Sequence, residues 1–411
     1  MSHSTPEELV SVEEHLARIL GTVQPLPDFQ QPIQDALGLA CTEDVVSPLD
    51  LPRFDNSSMD GYAVRVADVE GASAERPVEL TVSGQIGAGQ VMLRELPPGT
   101  AAKIMTGAPM PVGADAVVPY EWTDRGAQAV RIEQAPQPHQ HVRDAGEDVR
   151  EGDVVITAGT VIGPRHVGLL AAVGRASVRT RSRPRVVILS TGTELTEVGS
   201  PLMDDSIYDS NSHLLAAAAG AAGAVAHRVG AVSDQPGRFL EVLHEHIVRA
   251  DVVVTSGGVS QGDYDVVKEA LRPLGTMWFG GVRMQPGKPQ GFGMIGDVPI
   301  FCLPGNPVSS YLSFELFVRP ALRRMTGVEP ALAPLATARL TREVSSPPGR
   351  RQFLRGHLDD LDGEPAITPV GGAGSHLVAD LARANALIVV PEEATSLESG
   401  TRVYVVPLDR A

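Results

Sequence analysis

The chain has 411 residues, is 43% hydrophobic and carries a formal net charge of −16, so it is long enough for roughly two to four domains and too acidic for a general binder of nucleic acids or anionic membranes. The N terminus lacks the charged-then-apolar pattern of an export signal, and the longest apolar run, 214–226, is too short to span a bilayer. Only two cysteines occur, Cys41 and Cys302, without a metal-binding spacing, so we expect a cytoplasmic protein with neither a nucleic acid nor a membrane as partner.

The first half of the chain combines helical and β-rich segments. Residues 10–19, 31–37 and 164–173 have the spacing of short helices, whereas 53–141 consists of short β runs separated by turns. We predict that the segments on either side of the β-rich unit pack together, so that this unit is an insertion.

Strand and helix alternate between residues 185 and 327, which predicts a three-layer α/β domain with a mostly parallel sheet. The predicted order is strand 186–189, helix 212–222, strand 225–230, helix 237–249, strand 252–255, helix 264–271, strand 277–280, strand 299–303 and helix 307–325. After residue 330, short β runs broken by Gly and Pro predict a small β-barrel or sandwich.

Three glycine-bearing turns, 190–194, 256–260 and 303–309, follow predicted strands of this domain. In an open parallel sheet such turns gather at the carboxyl ends of the strands, where ligands bind. Their free backbone N–H groups favour anions, phosphate above all. Three such turns predict one nucleotide-like or phosphorylated ligand held by several loops.

Acidic residues adjoin these turns, among them Glu194, Asp234, Asp263 and Asp265. Mg²⁺ prefers oxygen ligands and commonly sits between one or two carboxylates and substrate phosphates, so these side chains predict a metal and phosphate site. The alternative is that Asp263 or Asp265 simply caps the next helix.

Other polar residues allow two interpretations each. Lys288, between prolines, is either a point-charge clamp for an oxyanion or merely solvent-exposed. Asp60 is either a functional carboxylate or the side chain of an Asx turn. Arg351 and Arg355 would face the same side of a strand, and His376 is better explained as a surface histidine than as a catalytic base.

Taken together, these strings resemble the MoeA family of molybdopterin molybdenumtransferases, which includes the E domains of gephyrin and of its plant counterpart. The similarity runs from about residue 10 to the C terminus, and its most specific strings are Met-Asp-Gly-Tyr-Ala at 59–63, Ser-Gly-Gly-Val-Ser at 256–260 and Pro-Gly-Asn-Pro-Val-Ser at 304–309.

The resemblance implies a multidomain α/β plus β fold with four domains. These are a discontinuous, elongated N-terminal domain (1–52 and 143–180), an inserted β-rich domain (53–142), a MogA-like three-layer α/β domain (181–328) and a C-terminal β-barrel-like domain (329–411).

The resemblance also implies an activity: insertion of molybdate into adenylylated molybdopterin, with Mg²⁺-dependent release of AMP, to give the molybdenum cofactor. It implies a homodimer whose cleft lies between the α/β domain of one subunit and the β-rich domain of the other. A contact with the molybdopterin adenylyltransferase is a further implied partner.

Site residues are implied by the same strings. The catalytic positions would be Asp60, Thr106, Asp148, Glu194, Asp234 and Asp265, of which the last three would lie near Mg²⁺ and the pyrophosphate. The substrate-binding positions would be Gly192, Ser256, Gly257, Gly258, Lys288, Pro289, Gly305, Asn306, Ser309, Arg355 and Ser375. Lys288, Ser309, Arg355 and Ser375 would hold molybdate or a terminal phosphate through charge-assisted hydrogen bonds.

Two departures from the family pattern leave alternatives open. Gln285 stands where the family often has the first Lys of Lys-Pro-Gly-Lys-Pro, and Thr193 stands where it has Asp in Thr-Gly-Asp-Glu-Leu. The alternatives are an enzyme like the molybdopterin adenylyltransferase, a tungstate-preferring paralogue, and a non-catalytic scaffold like gephyrin.

Overall fold

A six-stranded sheet forms the middle layer of the predicted α/β region in the computed structural model of the protein. Its strand order is Val225–Val232, Arg185–Thr191, Val252–Ser256, Val298–Leu303, Pro289–Ile295 and Trp278–Gly281. The first four strands are parallel and the last two are antiparallel to their neighbours. The prediction of a mostly parallel sheet is confirmed.

Hydrophobic residues cover both faces of this sheet, because side chains alternate along each strand. On one face, Val186, Ile188 and Val254 belong to a core shared with the helices Val12–Thr22 and Ser210–Ala221 and with the helical run 307–326. On the other face, Val187, Leu189, Val253, Ile300 and Cys302 pack with the helices Pro236–Ile247 and Val266–Leu271. This confirms the three layers.

The strand Pro289–Ile295 is one that the sequence analysis missed. Its glycines give it little β-propensity, yet each contacts a neighbouring side chain where a larger residue would not fit. A Cβ atom on Gly291 would lie 2.6 Å from the Phe279 ring, and one on Gly293 would lie 2.4 Å from the Met277 sulfur. The strand is therefore selected by cross-strand packing, which a local pattern does not display.

The helix predicted at 307–325 is a run of three segments: Pro307–Ser313, a π-helical turn at Phe314–Val318, and Arg319–Thr326. Pro320 has no N–H for the usual helical hydrogen bond, and a π turn is one way to accommodate such a loss. Glu315 and Arg319 form an ion pair inside this run, with Nε–Oε2 and Nη2–Oε1 distances of 2.7 and 2.8 Å.

The C-terminal region is a closed five-stranded barrel, in agreement with the predicted barrel. The strands follow one another around the barrel as Arg351–Leu361, Glu364–Pro369, Ala336–Leu340, Arg402–Pro407 and Ala386–Val390, and the last pairs with the first. The short strand Met284–Gln285 adds to the barrel by parallel pairing with Arg351 and Gln352, which joins the barrel to the α/β domain near the predicted site.

The structure describes residues 9–87, 89, 95–259, 265–332, 334–361 and 363–408, which group into two units by their contacts. The larger unit contains the α/β domain and the barrel, and the smaller unit comprises 31–37 and 43–178. The four-domain division remains a prediction.

The smaller unit contains the predicted β-rich structure. Its five-stranded sheet has the order Ala116–Pro119, Gly61–Val64, Thr100–Ile104, Val78–Ile86 and Ala129–Ile132. Buried side chains from both faces of the sheet, including Tyr62, Val64, Ala63 and Ile104, form two apolar clusters.

The remaining elements are short. The remaining helices are Pro164–Ala172 and Val378–Arg383, with 3₁₀ turns at Val66–Val69, Tyr120–Trp122 and Arg272–Leu274. The paired short strands are Asp28–Pro32 with Ser177–Arg181, Val45–Val46 with Val154–Ile156, Asn56–Ser57 with Val142–Arg143, Leu195–Thr196 with Ile207–Tyr208, and Val344–Ser345 with Ser396–Leu397.

One predicted helix, at 31–37, is wrong: its first two residues end the strand Asp28–Pro32 and the rest form turns. By contrast, the helix Val12–Thr22 begins with a capping box, in which the Ser11 hydroxyl accepts from Glu14 N and Ser11 N donates to the Glu14 carboxylate. Among the described residues, the helices are too short or too polar to cross a membrane.

Candidate active site

The three glycine turns touch one another at the carboxyl ends of neighbouring parallel strands. A Cβ atom on Gly257 would lie 2.7 Å from the Thr191 carbonyl oxygen, and one on Gly305 would lie 3.5 Å from the Gly257 Cα. Gly257 and Gly258 have φ angles of +95° and +67°, which side chains disfavour. Glycine is thus required here both for the backbone conformation and for the close approach of two turns.

These turns line a cleft with a volume of about 1210 Å³ between the α/β domain and the barrel. The predicted site residues on its wall are Gly192, Glu194, Asp234, Ser256, Gly257, Gly258, Asp265, Lys288, Pro289, Gly305, Asn306, Ser309 and Ser375. The structure therefore brings together residues that lie far apart in the sequence. Of the second turn, Ser260 and the nearby Asp263 lie outside the described residues.

The acidic residues of the cleft are held differently from one another. Asp234 accepts a hydrogen bond from the Thr193 backbone N–H at 2.9 Å, so the departure at Thr193 leaves this backbone contact intact. The Glu194 carboxylate lies beside Gly192, where a Cβ atom would meet its Oε1 at 2.7 Å. Asp265 occupies the N-cap position of the helix Val266–Leu271, but its side chain makes no capping hydrogen bond.

Two cationic side chains lie on the cleft wall, Lys288 and Arg350. Within the described ranges neither forms an ion pair, although the chain carries an excess of acidic residues. Lys288 is half-buried, and its Cε is 3.1 Å from where a Cβ atom of Gly281 would stand. The sequence analysis did not single out Arg350, because nothing in the local sequence distinguishes it from Arg351 beside it.

Arg355 lies behind the cleft rather than on its wall. Arg355 is 2% exposed, and its guanidinium donates to the carbonyl oxygens of Gly374, at 3.0 Å, and Gly372. Burial lowers the pKa of Arg355. The loop that it holds also contacts the helical run, because the Ser375 carbonyl accepts from Val308 N at 3.0 Å. In this structure Arg355 therefore shapes the loop that presents Ser375.

Arg351 and His376 show no sign of a catalytic role. Arg351 forms ion pairs with Glu13 and, at 3.9 Å, with Glu392. His376 lines the cleft but is exposed, which agrees with its interpretation as a surface histidine.

Two polar residues that the sequence analysis did not assign to the site, Asp209 and Asn211, support the cleft. Asp209 is 1% exposed and accepts hydrogen bonds from Ser190 Oγ at 2.9 Å and from Ser212 N at 3.0 Å. It thereby caps the helix Ser210–Ala221. Asn211 follows in the first turn of that helix and lines the cleft. An Asp–x–x–Ser capping pattern at 209–212 was the available signal.

Asp60, Thr106 and Asp148 belong to the smaller unit. Asp60 Oδ1 accepts from both the backbone N–H and the hydroxyl of Thr106, each at 2.7 Å, and these two hydrogen bonds lower the pKa of the carboxyl. Because Thr106 is 46 residues away along the chain, these bonds are not those of an Asx turn. Asp148 is exposed, and its backbone N–H donates to the Leu51 carbonyl at 2.9 Å.

The cleft can thus offer backbone N–H groups, two unpaired cations and several carboxylates to one ligand. Backbone nests and cations suit phosphate or another oxyanion, and carboxylates suit a hard divalent ion. Among the described residues, no three His, Cys, Asp or Glu side chains already stand close enough together to hold a metal ion.

Three family models match successive parts of the chain. The model described as the MoeA N-terminal region (domain I and II) matches residues 10–174, the probable molybdopterin binding domain matches 187–324, and the MoeA C-terminal region (domain IV) matches 337–408.

Curated relatives are similar over nearly the full chain. Molybdopterin molybdenumtransferase 2 of Mycobacterium tuberculosis (strain H37Rv) is 43% identical, and the alignment covers 96% of this chain and 98% of that protein. Molybdopterin molybdenumtransferase 1 of the same strain is 41% identical with the same coverage. The molybdopterin molybdenumtransferase of Haemophilus influenzae is 35% identical over 92% of this chain and 93% of its own length.

A solved structure is similar throughout. The molybdopterin biosynthesis MoeA protein from Pyrococcus horikoshii superposes with a TM-score of 0.84 at 33% identity, covering 98% of this chain and 100% of that one.

Proposed function

The chain belongs to the MoeA family, and we propose that it is a molybdopterin molybdenumtransferase, which inserts molybdate into adenylylated molybdopterin and releases AMP. The observation that carries this proposal is the convergence of three glycine turns with Lys288 and Arg350 in one cleft. A substrate with a pyrophosphate and a second oxyanion needs several such sites side by side, because the two anions repel each other.

The glycine turns would hold the phosphates. Backbone N–H groups around Gly192, Gly258 and Gly305 would bind phosphate oxygens, since a close backbone approach requires residues without a Cβ atom. The hydroxyl of Ser309, in the first turn of the helical run, is a further donor facing the cleft. Each donor is held by the sheet before the substrate arrives, which lowers the cost of binding.

Lys288 and Arg350 would bind molybdate or the terminal phosphate. Both cations face the cleft without an ion-pair partner among the described residues, so neither has to break a salt bridge in order to bind an anion. Ser375 would contribute a hydroxyl from the loop that Arg355 holds. We therefore assign Arg355 an indirect part in oxyanion binding.

The carboxylates fit Mg²⁺ as a partial ligand set. Glu194, Asp234 and Asp265 supply the oxygen donors that this ion prefers, and it usually completes its shell with waters and substrate phosphates. When bound, Mg²⁺ would neutralise charge on the phosphates as AMP leaves. The protein's own part is to orient these carboxylates: Thr193 N–H holds Asp234.

Asp60, Thr106 and Asp148 would complete the cleft of a second subunit in a homodimer. Co-expression of an Asp60→Asn chain with a Lys288→Ala chain tests this, because mixed dimers would contain one intact cleft and recover AMP release. Activity no greater than that of either variant alone would contradict the shared cleft. Cytoplasmic location and a contact that transfers substrate from the adenylyltransferase belong to the same proposal; the two free, buried cysteines are compatible with that compartment.

The main test is AMP release by the purified protein with adenylylated molybdopterin, molybdate and Mg²⁺. We expect Asp265→Ala and Lys288→Ala each to reduce turnover without unfolding the protein, as followed by circular dichroism. Unchanged rates in both variants would mean that the site is misplaced. No AMP release with any divalent ion would contradict the activity itself.

The departure at Gln285 leaves one alternative open to test, a preference for tungstate over molybdate. Gln285 lines the cleft but brings no charge. We expect Gln285→Lys to lower the KM for molybdate severalfold, since a charge-assisted contact contributes about 1–2 kcal/mol. Comparing both oxyanions in wild type and variant separates a change in affinity from a change in selectivity.

The other two alternatives have their own tests. Turnover of ATP without preformed adenylylate would favour an adenylyltransferase. Binding of substrate without any turnover would favour a scaffold.

A further inference from the structure

The Asn211 side chain lies where the three glycine turns meet. Its Nδ2 donates to Ser256 Oγ at 2.8 Å and to the Gly305 carbonyl oxygen at 2.6 Å. One amide group therefore bonds the second turn and the third. Ser256 is itself 2% exposed, so the first of these bonds is shielded from water.

The orientation of this amide is determined by its partners. The Gly305 carbonyl can only accept, so the nitrogen and not the oxygen of Asn211 must face it. Asn211 Oδ1 is buried and has no hydrogen-bond partner among the described residues. A buried acceptor without a partner is costly, so the contacts made by the nitrogen must compensate for it.

Asn211 is in turn connected to the first glycine turn. It stands two residues after Asp209, which caps its helix and accepts from Ser190 Oγ, the first residue of that turn. Asp209 also accepts from Ser212 Oγ at 2.5 Å and is 1% exposed. The start of this helix thus bonds all three turns, one through Asp209 and two through Asn211.

We propose that Asn211 is a positioning residue that holds the second and third glycine turns in register, so that their N–H groups converge on one ligand. Its role in binding phosphates rests on the proposed function, whereas its role in ordering the turns does not. The carboxamide is required because only an N–H₂ group can donate to two acceptors while occupying this volume. Aspartate has the same shape but presents two acceptors when ionised.

Hydrogen–deuterium exchange of the full-length protein tests the ordering role without any substrate. In Asn211→Ala we expect the amides of 256–259 and of 303, 305 and 306 to lose protection about fivefold or more, since each lost hydrogen bond contributes about 1 kcal/mol. His213→Ala is the matched control, because His213 is exposed in the same helix and pairs with Glu197. In His213→Ala the glycine turns should keep the wild-type protection against exchange.

Asn211→Asp provides a second variant that is nearly isosteric. At pH 7.5 its carboxylate would face the Gly305 carbonyl and the turns should lose protection, whereas at pH 5 a protonated carboxyl can donate again and restore part of it. Burial and the facing carbonyl raise the pKa of such a carboxyl, which brings its protonation into this range. Wild type and control at both pH values account for titration of Asp209, Glu197 and His213.

Partial recovery at pH 5 in Asn211→Asp, absent from Asn211→Ala, would support the proposal. Wild-type protection of the turns in both variants would overturn it. In the AMP-release assay we further expect Asn211→Ala to lower kcat/KM about 10- to 100-fold. If no variant and no wild type releases AMP, the proposed function fails, while the exchange data still decide the role of Asn211.

Discussion

Replacing Gly257 with alanine tests whether contact between the glycine turns forms the site. A Cβ atom at this position would lie 2.7 Å from the Thr191 carbonyl oxygen and 3.0 Å from its hydroxyl. Both distances are shorter than van der Waals contact, and the carbonyl belongs to the backbone of the neighbouring strand. The first and second turns would have to separate by several tenths of an ångström.

The expected cost has two parts. The φ angle of +95° is unfavourable for any residue with a Cβ atom, by about 1–2 kcal/mol. The clash with Thr191 adds about 1–3 kcal/mol, the usual penalty for overpacking. Gly199→Ala separates the two, because Gly199 has a φ of +92° and nothing within 4 Å of its Cβ position.

Denaturation by urea, followed by Trp278 fluorescence in a Trp122→Phe background, reports on the larger unit. We expect Gly257→Ala to lower the free energy of unfolding about 1–3 kcal/mol more than Gly199→Ala does. We also expect AMP release to fall at least tenfold in Gly257→Ala only, because displaced N–H groups no longer converge. Equal stability and equal turnover in the two variants would refute the reasoning.

Three further outcomes concern buried or paired groups. Burial lowers the pKa of His15 to about 3, so its contribution to stability is complete above pH 6.5 and is lost as the pH falls towards 3. In His15→Phe the urea concentration at the unfolding midpoint should therefore change less between pH 6.5 and 4.5 than in wild type. Glu315→Gln should cost about 1–3 kcal/mol in thermal denaturation, because it removes the counter-charge of the Arg319 guanidinium, whose side chain is only 18% exposed. Thr106→Val removes the hydroxyl that donates to the Asp60 carboxylate, so it should raise the pKa of Asp60. The acid limb of the kcat/KM profile should then move to higher pH.

Each of these outcomes has a control. An equal loss of stability with acid in wild type and His15→Phe would contradict the first. A double replacement of Glu315 and Arg319 by leucine should cost far less than Glu315→Gln, since it leaves no buried charge. Thr106→Ser keeps the hydroxyl and should retain the wild-type pH profile; a wild-type profile in Thr106→Val would exclude the proposed effect on Asp60.

Local patterns in the sequence predicted the α/β domain and the barrel well. β-branched runs such as 252–255 are apolar on both faces, as a strand buried between two helical layers must be. The turn that follows this run needs glycine at 257 and 258 for its φ angles, so it can be recognised without knowing its neighbours. These are properties of a few consecutive residues, and the sequence displays them directly.

Other features depend on partners far along the chain. The strand Pro289–Ile295 exists because its glycines receive the side chains of a neighbouring strand. Asn211 and Arg350 acquire a role only where folding places them against other loops, and Arg355 is directed to backbone carbonyls instead of the cleft wall. Such contacts join residues far apart along the chain, so local patterns in a single sequence do not predict them.

The sequence alone therefore determined the chemistry at hand: glycine turns at strand ends, carboxylates beside them and a lysine between prolines. Only the tertiary structure decided which of these groups share a cleft and which form hydrogen bonds within the protein that hold the cleft together. The physical reason is that a turn is specified by its own φ and ψ angles, whereas a site is specified by distances between segments that the chain brings together on folding.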